Sequence, residues 1–471
     1  MQKKSGKNIP RALALLPALI GGLYAGAANA SAFQLLEQNV SGLGAAYAGS
    51  AAVAEDASTV FYNPAGMALL PAGKKHMAAG LNLINPSAKF SDGGSVAAAG
   101  QVLGGNNGGD AGSLAAVPHG YFTMPLTDSI QFGVGVGAPF GLKTEYDSNW
   151  KGRFLGIKSS VETLNLNPSL SYKVNDAVAL GLGVNYQKLK GEFTSAVNYA
   201  AVLGQLAANP ALSALAPLAA TAGEGRSMIT GDDTAWGYNL GVLVQAGPAT
   251  RLGLSYRSAI KYHLTGSASF TSNANLTTAL NAIAGVNPAA ASMIAGRLPT
   301  RGGAIYSDIK LPDTLTLSAL HRLDDRWDLL GDLSWTGWAK IQSLDFKYAN
   351  DNSMLSSTKE NWRNTLRVAL GANYRMSNQW TLRGGLAYDQ TPVADSNRTP
   401  RLPDNNRTWL SFGGQYKLNK DAALDFGYSH LFVPKASIND NAGNAANVYG
   451  TLQGQYKSGV DILGVQYSQA F

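Results

Sequence analysis

The sequence predicts an all-β protein: a fourteen-stranded antiparallel transmembrane β-barrel with an N-terminal plug in its lumen. Three observations point there. Charged residues make up 14% of the 471, against roughly 25% in soluble domains. Beyond the N-terminus, no uncharged apolar run reaches the roughly 18–20 residues that a spanning helix needs. Segment after segment instead alternates apolar residues with small or polar ones. Lipid offers backbone groups no hydrogen-bond partners, so a membrane protein without spanning helices must be a closed barrel.

Residues 1–30 read as a signal peptide. Lys3, Lys4, Lys7 and Arg11 form its basic region, 12–26 its apolar core, and Ala28-Asn29-Ala30 a small-x-small cleavage site. Pro17 and the glycines make this stretch a poor membrane anchor. Cleavage after Ala30 removes four positive charges and takes the formal net charge from +7 to +3. The basic balance therefore belongs largely to the signal, and no nucleic-acid partner is expected. The chain has no cysteine, which excludes a disulfide or thiolate site and fits an envelope protein. Residues 31–71 are rich in Ala, Gly and Ser and follow neither a period of 2 nor one of 3.6. A compact, irregular segment joined to the first strand of a closed barrel would lie inside it, as a plug.

The barrel occupies 72–471. Its candidate strands are 74–91, 113–126, 129–141, 154–173, 177–198, 231–246, 250–270, 303–322, 326–348, 361–376, 379–391, 407–418, 422–433 and 456–471. Leu424, Phe426 and Tyr428 share one face while Asp425, Gly427 and Ser429 share the other. Leu366, Val368 and Leu370 oppose Thr365, Arg367 and Ala369 in the same way. A soluble sandwich also alternates, but its strands are shorter than these. Connections settle the choice: tight turns such as 174–176 and 323–325 alternate with long loops such as 199–230 and 271–302. Short periplasmic turns and longer external loops mark outer-membrane barrels. Two external loops, 200–223 and 273–295, are rich in Ala and Leu and interrupted by Pro210, Pro217, Gly285 and Pro288. Short helical hairpins with an apolar external groove are expected there. The C-terminal Phe471, with apolar residues at alternate positions behind it, looks like the signal read by the barrel-assembly machinery.

Little in the chain suggests catalysis or a cofactor. His76, His119, His263, His321 and His430 are scattered over five strands without metal-ligand spacing. Gly133, Gly135 and Gly137 are spaced by two and smooth one strand face. They do not cradle a phosphate. Asp232-Asp233 and Asp324-Asp325 read as a solvated strand end and a turn. Nothing brings Ser, His and Asp together for nucleophilic chemistry. No enzyme activity, metal or cofactor is expected.

Inward cations are more informative. Strand parity points Arg257, Arg367 and Arg383 into the lumen, where a charge needs water, a carboxylate or a ligand. One reading is a structural ladder paired with Asp332, Asp389 and Asp425. The other is that one of these arginines meets a substrate carboxylate. Lys188 and Lys190 share the lipid-facing parity and belong at headgroup level. Gly137-Ala138-Pro139-Phe140-Gly141 should kink or bulge, because proline cannot donate to the ladder and glycine packs poorly. The alternative there is a strand end.

Phe33-Gln34-Leu35, Ser41-Gly42-Leu43-Gly44, Ala46-Tyr47, Asp56-Ala57 and Asn63-Pro64-Ala65 follow a familiar order and spacing. They resemble the N-terminal hatch of the FadL family, outer-membrane transporters of long-chain fatty acids and related hydrophobic compounds. The resemblance continues through Phe140-Gly141-Leu142, Thr144-Glu145-Tyr146, 163–167, Tyr256-Arg257-Ser258, Leu311-Pro312-Asp313, 362–371, Pro403-Asp404 with Arg407, and Phe471. It implies that Phe33 is a plug tip in the substrate pocket and that Asn63, Pro64 and Ala65 belong to the gate. It also implies that the helical loops dock substrate first and that 137–141 opens the wall for sideways exit. The family's cationic pocket residues have no assignable match in the middle strands, so the headgroup, carboxylate or neutral hydrocarbon, stays open.

The expected protein is a monomeric, passive outer-membrane importer of long-chain fatty acids or similar amphiphiles in a Gram-negative cell. It would sit among outer-membrane lipid and lipopolysaccharide. The alternatives are a transporter of aromatic hydrocarbons or other xenobiotics, a surface structural protein or adhesin that only displays loops, and a water-filled porin. The gap at 137–141 is expected beside Asn63-Pro64-Ala65, with Asn63 bonding exposed backbone at its rim.

Overall fold

The computed structural model describes residues 32–471 except 99–100, 209, 211–212, 214–215, 273, 287, 296–300 and 442–446. The expected signal peptide, 1–30, lies outside the described residues. The barrel strands are β1 (His76–Asp92), β2 (Ala115–Pro125), β3 (Ile130–Gly137), β4 (Gly141–Glu145), β5 (Lys158–Lys173), β6 (Val178–Asn198), β7 (Glu224–Gln245), β8 (Thr250–Arg257), β9 (Ile260–Thr271) and β10 (Gly303–Leu311). They continue as β11 (Thr314–Arg322), β12 (Trp327–Thr336), β13 (Ser343–Tyr348), β14 (Met354–Lys359), β15 (Thr365–Arg375), β16 (Trp380–Asp389), β17 (Arg407–Lys417), β18 (Ala422–Phe432), β19 (Ala436–Asp440) and β20 (Leu452–Ala470). All pairings between these strands are antiparallel, and β1 pairs with both β2 and β20, which closes the sheet.

Six spans are each broken into two pieces: β3/β4, β8/β9, β10/β11, β12/β13, β14/β15 and β18/β19. The twenty strands therefore make fourteen crossings, as the sequence predicts. Three breaks carry a proline, at Pro139, Pro312 and Pro434, where the ladder loses a donor. Leu180, Leu182, Val184 and Tyr186 on β6 face outward and are exposed, while Ala179, Asn185 and Gln187 are buried. The same alternation runs along β15 and β18. Strand boundaries depart most from expectation where loops extend the ladder: β7 begins at Glu224, β14 begins at Met354 and β19 ends at Asp440.

Residues 32–71 contact strands on every side of the closed sheet, from β1 and β3 through β7, β8 and β12 to β16, β18 and β20. Short helical turns, Leu43–Ala45, α1 (Thr59–Tyr62) and Pro64–Leu69, give this segment its compactness. The wall meets it through glycine. A Cβ on Gly253 would lie 2.0 Å from the Ala51 carbonyl oxygen, and one on Gly385 would lie 2.2 Å from the Ala45 carbonyl carbon. Polar bonds pin the segment to the wall on several sides. Ser50 Oγ donates to Asp332 at 2.7 Å, Gln466 Nε2 donates to Asp56 at 2.9 Å, and Asn82 Nδ2 donates to the Glu37 carbonyl at 2.9 Å. Arg383 joins both partners: it pairs with Glu55 of the segment at 3.0 Å and with Asp425 of β18 at 3.2 Å, and it also bonds the Ser41 carbonyl.

External loops fold into α2 (Tyr199–Ala207), α3 (Ala216–Ala222), α4 (Ala274–Val286) and α5 (Pro288–Ala295). Asn198 caps α2 by accepting from the Ala201 amide at 3.0 Å. Tyr199, Leu203, Leu276 and Ile294 pack the two hairpins on each other, which is why these apolar loops do not stay solvated.

The Arg383 cluster sets a clear expectation. Removing one member of a buried ion pair leaves its partners uncompensated, at a cost of about 3–5 kcal/mol. Arg383→Gln should lower the thermal unfolding midpoint of the purified barrel and expose residues 32–71 to protease. Unchanged protection of the segment would show that the pair does not hold it.

Candidate functional site

The break between β3 and β4 organises the site. Gly137 faces Asn165 of β5, and pairing resumes at Gly141 facing Glu162. Ala138, Pro139 and Phe140 thus oppose only two residues, and the strand bulges. Thr163 repairs the bulge: its Oγ1 accepts from the Phe140 amide at 2.9 Å and donates to the Phe140 carbonyl at 2.6 Å. On the other edge, β2 pairs with β3 only from Gly120 opposite Val136 downward. Among the described residues no ladder pair joins β4 to β2. A bond from the Glu145 amide to the Ala111 carbonyl, at 3.0 Å, closes the interruption above.

The N-terminal segment takes the unpaired edge. Gln34 forms an antiparallel bridge with Phe140. The Leu35 amide donates to the Pro139 carbonyl, and the Gly141 amide donates to the Phe33 carbonyl, both at 2.8 Å. Gln38 Nε2 donates to the Ala138 carbonyl at 2.8 Å. A Cβ on Gly137 would lie 2.4 Å from Gln38 Oε1, so glycine is what lets this side chain sit there. The kink's backbone is therefore satisfied from the lumen and not from β2.

Asn63, Pro64 and Ala65 are elsewhere, which corrects one expectation. Asn63 Nδ2 donates to the Val242 carbonyl of β7 at 3.0 Å, and Ala65 packs against Gly181 of β6. The turn between α1 and the 64–69 helix carries Asn63 to the β6–β7 wall. The rim of the kink is served by 33–38 instead.

Phe33 sits in an aromatic cluster above the segment. Its ring centroid is 5.1 Å from Trp338, 5.8 Å from Trp362 and 5.9 Å from Phe140. Leu189, Phe193, Tyr262 and Phe346 extend this apolar region across the lumen. Asp404 holds the approach to Phe33, accepting from the Ala32 amide at 3.1 Å and from Thr391 Oγ1 at 2.6 Å while pairing with Arg407.

The three arginines separate. Arg383 is committed to Glu55 and Asp425, the structural alternative. Arg257 and Arg367 both line a polar cavity of about 70 Å³, with Gln34, Tyr62, Asp332 and Asp389. Arg257 donates to the Phe61 carbonyl at 2.8 Å, stacks 4.1 Å from the Phe61 ring and bonds Asn185. Arg367 donates to the Ala46 carbonyl at 2.6 Å and faces Asp389 across β15 and β16.

Strand parity missed a fourth cation, because Arg401 lies on the loop between β16 and β17. Its guanidinium stacks 5.6 Å from the Phe193 ring of the aromatic region and donates to Ser159 Oγ at 3.1 Å. Among the described residues it joins no ion pair. Burial lowers it to about 10, so it stays charged at neutral pH. Nearby, Trp362 Nε1 donates to the Glu360 carboxylate at 3.0 Å. The one sequence signal was position: Arg401 lies two residues before Pro403-Asp404.

Outside, a groove of about 820 Å³ runs between residues 96–98, 101–104, 153–155, α2, α3 and 447–452. Val102, Phe154 and Tyr449 are among its walls. The arrangement sets a groove of mixed lining outside, an aromatic region inside and a wall interruption beside it. Among the described residues no three His, Asp or Glu side chains are grouped to hold a metal.

Known proteins share this layout. The family described as outer membrane protein transport protein (OMPP1/FadL/TodX) matches residues 21–471. A long-chain fatty acid transport protein of Escherichia coli K12 is 31% identical over 456 residues, covering 93% of this chain and 94% of that one. Outer membrane protein P1 of Haemophilus influenzae is 31% identical over 473 residues, covering 95% and 97%. The crystal structure of a Pseudomonas aeruginosa FadL homologue superposes with a TM-score of 0.80 at 28% identity, covering 93% of this chain and 99% of that one. The Pseudomonas putida toluene transporter TodX, at 18% identity and a TM-score of 0.61, shares the fold. The chain belongs to the OMPP1/FadL/TodX family of outer-membrane transporters for hydrophobic compounds, and its barrel sits in the outer membrane of a Gram-negative cell.

Proposed function

We propose that this barrel imports long-chain fatty acids passively and releases them sideways through the interruption between β2 and β4. One observation carries the reading: Phe33 fills an aromatic region bordered by the Arg401 guanidinium, which joins no ion pair among the described residues. An acyl chain displacing Phe33 would gain roughly 0.8 kcal/mol per buried methylene, and its carboxylate would meet a cation. The name of the E. coli relative supports that substrate class. No catalytic step is invoked. Substrate collects in the outer groove, descends past the helical hairpins, and replaces Phe33.

Displacing Phe33 pulls on Gln34 and Leu35, which cap the kink. The gate then consists of residues 33–38, with Asn63, Pro64 and Ala65 holding the far side of the segment on β6 and β7. A sideways exit has a physical advantage, because an acyl chain gains nothing by entering water and is stable in lipid. Arg257 and Arg367, in the polar cavity directly below, offer a second stop for the carboxylate.

Three measurements test this. Phe33→Ala removes the competing ring, so fatty acid affinity should rise on the order of tenfold in a barrel that still resists heat in detergent. Unchanged affinity would place Phe33 outside the substrate's path. Arg401→Gln should weaken binding of a fatty acid more than that of the matching alcohol, by about 1.5–3 kcal/mol for a charge-assisted bond. If acid and alcohol suffer equally there, and also in Arg257→Gln and Arg367→Gln, none of these cations meets the headgroup. Gly141→Phe fills the wall interruption and should cut uptake strongly while the outer groove still binds. Full uptake by the folded variant would rule out the lateral route.

A further inference from the structure

Two places on the outer wall set like charges directly opposite each other. Lys261 of β9 faces Lys310 of β10, and Lys89 of β1 faces Lys457 of β20, in strict cross-strand register. All four are exposed on the lipid-facing parity. Like charges in this position destabilise a sheet, so each pair calls for an anion between the two ammonium groups. Lys261, Lys310 and Lys457 join no ion pair among the described residues. Lys89 reaches Asp110 only at 3.8 Å, and Asp110 already accepts from Ser87 Oγ at 2.7 Å and from the Ala88 amide at 2.8 Å. The other nearby acids are occupied too. Asp308 pairs with His263 at 2.9 Å, Asp313 with Lys340 at 2.5 Å, and Asp461 with His430 at 2.8 Å and with the Tyr428 hydroxyl at 2.6 Å.

Their height says which anion is available. Lys261 and Lys310 stand on the loop side of exposed Leu252, Leu254, Leu315 and Leu317, and Lys457 on the loop side of exposed Leu463 and Val465. The pairs therefore lie just above the apolar belt, at the outer-leaflet headgroups. β9/β10 and β20/β1 are also seven crossings apart, on opposite sides of the fourteen. We propose that each lysine pair clamps a phosphate of an outer-leaflet phosphoglycolipid, so that two lipids of the lipopolysaccharide type dock on opposite faces of the barrel. This rests on the barrel's place in the outer membrane and not on what it transports.

Native mass spectrometry of the full barrel in magnesium-free detergent, with bisphosphorylated lipid A added, tests the proposal. The unaltered protein should hold two lipids, K261Q/K310Q one, K89Q/K457Q one, and the fourfold variant none above the level seen with dephosphorylated lipid A. Replacing the four lysines by arginine should restore both. For the unaltered protein, binding should weaken at least tenfold without the phosphates and should fall with added salt. A fourfold variant that still holds two lipids, or equal binding of the dephosphorylated lipid, would overturn the assignment. The salt and dephosphorylation arms need no variant, so a variant that failed to fold would not shield the idea.

Discussion

In a bilayer every backbone amide and carbonyl must find a partner inside the protein. That single constraint closes the sheet, and it makes the wall interruption between β3 and β4 costly unless something fills it. Pro139 removes a donor, the bulge displaces Phe140, and β2 no longer reaches β4. Gln34, Leu35 and Gln38 supply what the wall lost. The N-terminal segment is thus part of the barrel's hydrogen-bond inventory at this point. Under the proposed reading, a substrate that displaced Phe33 would also disturb the groups that keep the wall sealed, and the apolar region would be coupled to the opening without any moving domain.

Charge inside the lumen divides by the same logic of satisfaction. Arg383, caught between Glu55 and Asp425, is spent on holding the segment in place. Asp404, shared by Arg407, Thr391 and the Ala32 amide, fixes the approach to Phe33. Arg401 is different. It lies against an aromatic ring, donates to Ser159 Oγ and the Lys158 carbonyl, and joins no ion pair among the described residues, with the Glu360 and Asp440 carboxylates acting on its charge from farther away. The tip of the segment lies beside the aromatic region and the kink.

Much of this could be read before the fold was known. Period-2 alternation and the inequality of turns and loops place all fourteen crossings, and Pro139 between glycines marks the kink. Ala- and Leu-rich composition at 200–223 and 273–295 announces the helical hairpins. What could not be read was contact across long sequence separations. Asn63 lies near the kink in the family-based expectation, yet a helical turn delivers it to β7. Gln38, which fills the space beside Gly137, has no local signal at all. Strand parity gives direction only within strands, so it found Arg257, Arg367 and Arg383 and passed over Arg401, whose loop folds back into the mouth. Parity also says nothing about which inward arginine is already paired, and that question separates Arg383 from the others.

The central claim is that residues 33–35 must leave the kink for substrate to pass. The chain has no cysteine of its own, and Gln34 and Phe140 are bridge partners, close enough in an antiparallel pair for a disulfide. A Gln34→Cys/Phe140→Cys barrel can therefore be measured in oxidised and reduced forms, with every other change held constant. Fatty acid uptake into vesicles carrying the oxidised barrel should stop, and a reductant should restore it, while binding to the outer groove stays the same in both forms. Equal uptake by the oxidised and reduced barrels would contradict the account.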